Sequence, residues 1–268
     1  MKYQLRPWLS LAVLMLTMVI WTAPASSQVD MVVSPVRAEH QVEAGTSETN
    51  ILQIKNEGKK AERVKVYLED WQLDAKGNLT FSRAGKNPRS CSAWLQLNPT
   101  DFRLDPGTRE VRYTLTVPPG VKPGTYWTAI IVEGMPPLEG KPAGRMMGMH
   151  GRIAVVVYET VGKPEIKADF QDFQVHPGKG KLTFNLALTN SGSAFYRLRK
   201  SRIILKNSQG QEVSQIEVPD IPVLPGASRN LEFSKDLTLP AGKYEAEAVL
   251  DVGRTALLGR KQTFTLGK

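Results

Sequence analysis

The residues that could do covalent or metal chemistry are few. The chain has three histidines, His40, His150 and His176, and a single cysteine, Cys91. None of them stands in an H-E-x-x-H or C-x-x-C arrangement, whose short spacing sets two ligands on one metal. There is no G-x-S-x-G elbow and no phosphate-cradling loop of the G-x-x-x-x-G-K type. Glu69 and Asp70 adjoin Trp71 in a strand-like run, where successive side chains point to opposite faces, so the two carboxylates do not form an acid–base pair. No catalytic residue, metal site or cofactor is expected, and the chain reads as a non-enzyme. The chemistry that remains is non-covalent. In "SPVRAEHQVEAG" (Ser34–Gly45) alternation puts Val32, Ser34, Val36, Ala38, His40 and Val42 on one face and Arg37, Glu39, Gln41 and Glu43 on the other. Arg37 is there either as a solvated edge charge or as a planar fork for a carboxylate. A second basic group, Arg197, Arg199, Lys200 and Arg202 in "YRLRKSRIIL", is either solvated charge or a surface for an acidic partner or lipid headgroup. A third stretch, "RMMGMHGRIAVVVY" (Arg145–Tyr158), sets Met147, Met149, Gly151, Ile153, Val155 and Val157 on one period-2 face. Such a face fills the strand's own core or, through its methionines, adapts to varied apolar partners.

These residues must be positioned by strands. The chain opens with Lys2 and Arg6, the uncharged run "WLSLAVLMLTMVIWT" and the small residues "APA" at Ala23–Ala25, the pattern of an export signal over residues 1–25. No later run approaches the roughly 20 apolar residues of a membrane helix, so no stable membrane insertion is expected of the exported protein. Beyond the signal, short β-branched and aromatic runs alternate with Gly, Pro and Asn, about seven runs in each half. That is the pattern of two β-sandwiches. Pro164 and Gly162 in "VGKPE" interrupt it, giving expected domains at 26–162 and 163–268. The net charge is +9. The excess is spread over both halves without a Lys/Arg-rich tail, and an exported protein of this kind is not expected to bind nucleic acid. A lone cysteine in an oxidising compartment has no internal partner, so Cys91 is read as a small buried apolar residue.

The two halves echo each other. "IKNEG" (Ile54–Gly58) matches "LTNSG" (Leu188–Gly192), "LDPGTR" (Leu104–Arg109) matches "LPGASR" (Leu224–Arg229), and "KPGTY" (Lys122–Tyr126) matches "PAGKY" (Pro240–Tyr244). Each match is a turn built on Asn, Pro or Gly, and the three occur in the same order in both halves. This order implies two related modules.

The motifs "SPVRAEHQVEAG", "ILQIKNEGKKAERVKVYLEDW", "LQLNPTDFRLDPGTREVRY" and "GTYWTAIIVEGMP" occur in series. Over roughly Val29 to Val161 they resemble the N-terminal domain of PapD-like periplasmic pilus-assembly chaperones, which are immunoglobulin-like sandwiches. The second half is similar only as a generic domain of that kind. The resemblance implies an all-β chain of two tandem immunoglobulin-like domains and a periplasmic chaperone. Its partners would be exported pilus or other surface subunits and an outer-membrane usher. In that family an arginine on the first strand and a lysine on the last strand of the first domain hold the subunit's terminal carboxylate. The last strand also lends apolar side chains to the subunit. Arg37 falls on the family arginine. The lysine position is Ala154, and Arg152, two residues earlier on the same face, is the expected substitute. The donor run is Met147, Met149, Ile153, Val155 and Val157, interrupted by Gly151. A second likeness, of "WLQLNPTDFRLDPGTREVRYTLTVPPGVKPGTYWTAIIV" to Ig-like domains of Gram-positive WxL-associated surface proteins, implies instead a secreted adhesive or cell-wall-binding module.

Overall fold

The computed structural model describes residues 31–135 and 151–267. The first sandwich is built from β1 (Met31–Ser34), β2 (Arg37–Val42), β3 (Ser47–Asn56), β4 (Glu62–Leu73), β5 (Leu79–Arg83), β6 (Leu95–Asn98), β7 (Asp101–Leu104), β8 (Gly107–Thr116), β9 (Gly124–Met135) and β10 (Arg152–Val161). One of its sheets runs β1-β3-β8-β6. The other runs β2-β10-β9-β4-β5, with β7 also paired to β4. The second sandwich holds β11 (Ala168–Gly178), β12 (Lys181–Asn190), β13 (Tyr196–Arg197), β14 (Arg202–Asn207), β15 (Glu212–Glu217), β16 (Pro222–Val223), β17 (Ser228–Asp236), β18 (Gly242–Leu250) and β19 (Leu258–Leu266). Its sheets are β11-β12-β17 and β15-β14-β18-β19, with a short β13-β16 pair between them. Among the described residues the only helix is the single 3-10 turn Ser92–Trp94, and no helix is long and apolar enough to cross a membrane. The chain is all-β, two tandem immunoglobulin-like sandwiches.

Each sandwich has its own core because one side-chain parity of each strand is apolar. In β12 this is Leu182, Phe184, Leu186 and Leu188, all buried against Tyr244, Ala246, Ala248 and Leu250 of β18 among others. In the first sandwich Leu52 and Ile54 of β3 face Val64 and Val66 of β4, Ile130 and Val132 of β9, and Val155 and Val157 of β10. Fully burying one such side chain contributes about 1.5–3 kcal/mol. Cys91 is likewise buried and free, and burial pushes its thiol pKa up. The structure gives it the packing role of a small apolar side chain.

The first strand departs from the alternation read in the sequence. Met31 and Val33 are buried while Val32 and Val36 are exposed, and Ala38 and Val42 are buried again. The phase slips because the chain changes sheets between Ser34 and Arg37. β1 pairs antiparallel with β3, and β2 pairs in parallel with β10. Pro35 supplies no N–H for a ladder at the crossing.

The turn motifs do the same work in both halves. Asn56 Nδ2 donates to Lys60 O (2.8 Å) and Leu104 O (3.1 Å), and its Oδ1 accepts from Gly58 N (2.9 Å). Asn190 Nδ2 donates to Ala194 O (2.8 Å) and Val223 O (3.0 Å), and its Oδ1 accepts from Gly192 N (3.0 Å). Tyr126 donates its hydroxyl to Lys122 O at 3.0 Å, and Tyr244 to Pro240 O at 2.8 Å. Both corners satisfy backbone carbonyls that the turn leaves without sheet partners.

The domains meet through the linker, a few backbone bonds and one shared apolar cluster. β10 finishes at Val161, and the chain turns at Gly162 in a left-handed conformation with its N–H on Val42 O. The linker is gripped by the turn after β12: Ser193 N and Ala194 N both donate to Glu165 O, at 2.9 and 3.0 Å. Thr125 N donates to Ser193 O and Asn230 N to Ala75 O, so backbone bonds cross the junction. The outer face of the β2-β10-β9-β4 sheet carries a third apolar cluster, Trp71, Trp127, Ala129, Ile131 and Tyr158. Leu224 and Phe195 of the second sandwich close one end of it. Tyr158 and Phe195 stack with ring centroids 4.5 Å apart and planes 8° apart.

Candidate functional site

Two strand properties define the candidate site. First, β2 covers the edge of β10 only from Val156 onward: Arg37 is opposite Val156, and Val156 N donates to Val36 O at 3.2 Å. Backbone groups alternate sides along a strand, so the N–H and C=O of Ala154 and Arg152 point the same way as those of Val156. No strand among the described residues pairs with them on that side. Second, Arg37 and Glu39 of β2 share a face with Ala154, Val156 and Tyr158 of β10. This is the outer face, turned toward the second sandwich, which Phe195 joins from that side.

Arg37 meets an internal carboxylate there. Its Nε lies 3.2 Å from Glu39 Oε1, and its side chain is 41% exposed. The other oxygen of Glu39, Oε2, accepts a bond from Arg199 Nη2 of the second sandwich at 2.5 Å. A cavity of about 320 Å³ opens beside this triad, lined among others by Glu39, Ile166, Phe195, Arg197, Arg199 and Lys200. The other members of the basic cluster divide. Arg197 grips Asp220 through Nε, at 3.0 and 3.2 Å, and donates from Nη2 to Asp220 O at 2.9 Å. Lys200 is exposed with φ 56°, and Arg202 lies in β14.

Arg152 is not brought to Arg37. The register puts Arg37 beside Val156, four residues along β10, a separation of about 13 Å at roughly 3.3 Å per residue. The Arg152 guanidinium instead bonds Glu69 of β4 and sits over the Phe81 ring, 5.1 Å from its centroid. Tyr67 beside it donates its hydroxyl to Glu133 Oε2 at 2.7 Å.

The expected donor run also divides. Met147 and Met149 lie outside the described residues, as does His150. Ile153 packs partly buried against the first core, and Val155 and Val157 are buried within it. The side chains of Val155 and Val157 are committed to their own sandwich, so what β10 presents over Arg152–Val155 is its backbone edge and the partly exposed Ile153.

Chemically, the site offers a hydrogen-bonding strand edge and guanidinium groups around one carboxylate, Glu39. No group of three or more His, Cys, Asp or Glu among the described residues is arranged to hold a metal ion. His40 is half-buried between Tyr113, whose hydroxyl is 3.1 Å from Nε2, and Glu48, whose Oε1 is 2.9 Å from Nδ1. Burial holds its pKa below the usual histidine value against the pull of Glu48. Glu39 shares the polar parity of Arg37 in the sequence, but the interdomain reach of Arg199 is not legible there. The basic cluster was its only signal, and nothing local ties that cluster to β2, 160 residues away.

No family model matches the chain, and no curated protein does either. Solved structures do resemble it. A chaperone–tip adhesin complex of CFA/I fimbriae biogenesis is 13% identical, with a TM-score of 0.49 over 87% of this chain and 97% of that one. The CsuC–CsuE chaperone–tip adhesion subunit pre-assembly complex of Acinetobacter baumannii is 15% identical, with a TM-score of 0.45 over 85% and 97%. The CupB2 chaperone of Pseudomonas aeruginosa is 12% identical, with a TM-score of 0.44 over 88% and 100%. Each of these likenesses spans more than four fifths of this chain and nearly all of the other.

Proposed function

We propose that this chain is an exported, periplasmic chaperone that binds surface or pilus subunits through the open edge of β10 and holds a subunit's terminal carboxylate with Arg37. Residues 1–25 act as the export signal, 26–162 as the client-binding domain and 163–268 as the second wall of the cleft. An outer-membrane usher is the partner that would receive the subunit. The observation that carries this reading is the register of β2 on β10. A client strand that pairs with Arg152–Val155 in the direction of β2 lies end to end with β2, and its C-terminus then arrives where Arg37 begins. The series of motifs that resembles PapD-like chaperones supports the same reading. Ile153, Met147 and Met149 would supply apolar contacts along that strand, and Arg152 would flank the client's upstream part rather than its terminus.

The test is binding of a ten-residue peptide of alternating apolar and polar residues that ends in a free α-carboxylate, with its C-terminal amide as control. A charge-assisted guanidinium–carboxylate contact is worth about 1.5–3 kcal/mol. Amidation, or Arg37→Ala, should therefore each weaken binding about ten- to a hundredfold. Folding stability should hardly change in Arg37→Ala, because a half-exposed ion pair contributes little. Arg37→Lys should recover only part of the affinity, since lysine lacks the planar fork. Equal affinity for the acid and the amide refutes the anchor.

A further inference from the structure

Glu39 pairs with two guanidinium groups from two domains, in an ion pair with Arg37 Nε at 3.2 Å on one oxygen and a hydrogen bond from Arg199 at 2.5 Å on the other. We propose that Arg199 is the second arm of the carboxylate site that begins at Arg37, and that Glu39 fills this site in the free protein as an internal stand-in for the terminal carboxylate of a bound peptide. The inference rests on the carboxylate-anchor reading above and adds to it the residue that completes the clamp and the group that competes for it.

The geometry supports each part. Arg152 cannot complete the clamp easily, since it is displaced along β10 and engaged by Glu69. Arg199 is already within bonding distance of a carboxylate that Arg37 also touches, so one carboxylate does reach both. Both guanidinium groups remain accessible, with side chains 41% and 56% exposed, and the adjoining cavity leaves room for a chain end. Arg197 is not available, because Asp220 takes its Nε and its Nη2. Lys200 lines the same cavity and makes no ion pair with any described residue. The acids facing the cavity are Glu39 and Asp251. With Arg197 engaged by Asp220, the lining cations Arg199 and Lys200 match these two acids, and Arg37, paired with Glu39 beside the cavity, adds a third positive charge that favours an anion. Exposed ion pairs of this kind are individually weak, so Glu39 can be displaced. Yet it is tethered two residues from Arg37 and competes at high effective concentration.

The same peptide acid and its amide test this. Arg199→Ala should weaken binding of the acid about three- to tenfold and leave binding of the amide unchanged. Glu39→Gln, which removes the competitor's charge and keeps its shape, should tighten binding of the acid about three- to tenfold, again without effect on the amide. Both side chains are solvent-accessible, so neither change threatens folding, and coincident urea unfolding curves check this. If amidation and Arg37→Ala weaken binding while Arg199→Ala and Glu39→Gln do nothing, the clamp is overturned and the anchor at Arg37 stands. If Glu39→Gln weakens binding, Glu39 orders Arg37 rather than competing for it, and the stand-in role is overturned. If the acid binds no better than the amide, or the acid does not bind at all at millimolar concentration, both readings fail.

Discussion

Glu159 should make the first sandwich less stable as pH rises through neutrality. It lies on the inward parity of β10, opposite His40 of β2 and Tyr126 of β9, with no exposed surface and no hydrogen-bond partner for either carboxyl oxygen. Burial, aided by the negative charge of Glu48 on β3, raises its pKa from 4.5 to about 8. Below about 4.5 the folded and unfolded chains both carry the proton. Between 4.5 and 8 only the folded chain does, so each pH unit climbed costs about 1.4 kcal/mol of stability, and above 8 the loss is complete. His40 acts in the opposite sense at the acid end. Its pKa is lowered from 6.5, so stability falls as pH drops below that value. Cys91 and Tyr113, the other shifted groups around the carboxyl, have raised pKa values, the thiol well above 9.0 and the phenol about 12, and both stay protonated until strongly alkaline pH. The window from pH 6.5 to 8.0 therefore isolates Glu159 and should show a loss of about 2 kcal/mol. Urea unfolding followed by tryptophan fluorescence measures it in the right domain, because Trp71, Trp94 and Trp127 are all in the first sandwich and the second half has none. In Glu159→Gln, which is neutral at every pH, the slope over this window should vanish. A wild-type stability that is flat from 6.5 to 8.0, or a Gln variant that keeps the slope, refutes a neutral buried Glu159.

The paired asparagines give a domain-resolved test: Asn56→Ala and Asn190→Ala each strand two carbonyls and an N–H, and each should cost its own sandwich about 2–4 kcal/mol. Only the first should shift the tryptophan-detected transition, while the second should appear in far-UV circular dichroism. A Cβ at Gly192 would lie 2.3 Å from Glu165 O and 2.5 Å from Lys167 N, both backbone atoms. Gly192→Ala should therefore open the linker, seen as faster amide exchange at Lys167 and at Ser191–Ala194 with the first sandwich unaffected.

Much of the architecture is local chemistry and can be read along the chain. Period-2 apolar runs make strands wherever one face must be buried. An Asn before an x-Gly turn, and a Tyr four residues after the start of a Pro/Gly corner, bond within their own turns, so "IKNEG" and "LTNSG", or "KPGTY" and "PAGKY", carry that part of their meaning within a few residues, while the bonds of Asn56 to Leu104 O and Asn190 to Val223 O are long-range. Arg37 could be singled out for the same reason, as a guanidinium on the polar parity of a strand. Other features depend on contacts between residues far apart. Met31 and Val33 turn inward while Val32 does not, because β1 and β2 join different sheets, and no property of "MVVSPVRA" states which sheet each joins. The burial of Glu159 depends on the layer over it, since charge on the inward parity of a strand is tolerated only if its surroundings hold it neutral. Arg152 and Arg199 are both arginines in strand-rich, basic stretches. That Arg152 faces Glu69 and Arg199 crosses the cleft to Glu39 is set by strand register and by the way the second sandwich docks on Tyr158 through Phe195, which is a matter of packed surfaces and not of local pattern.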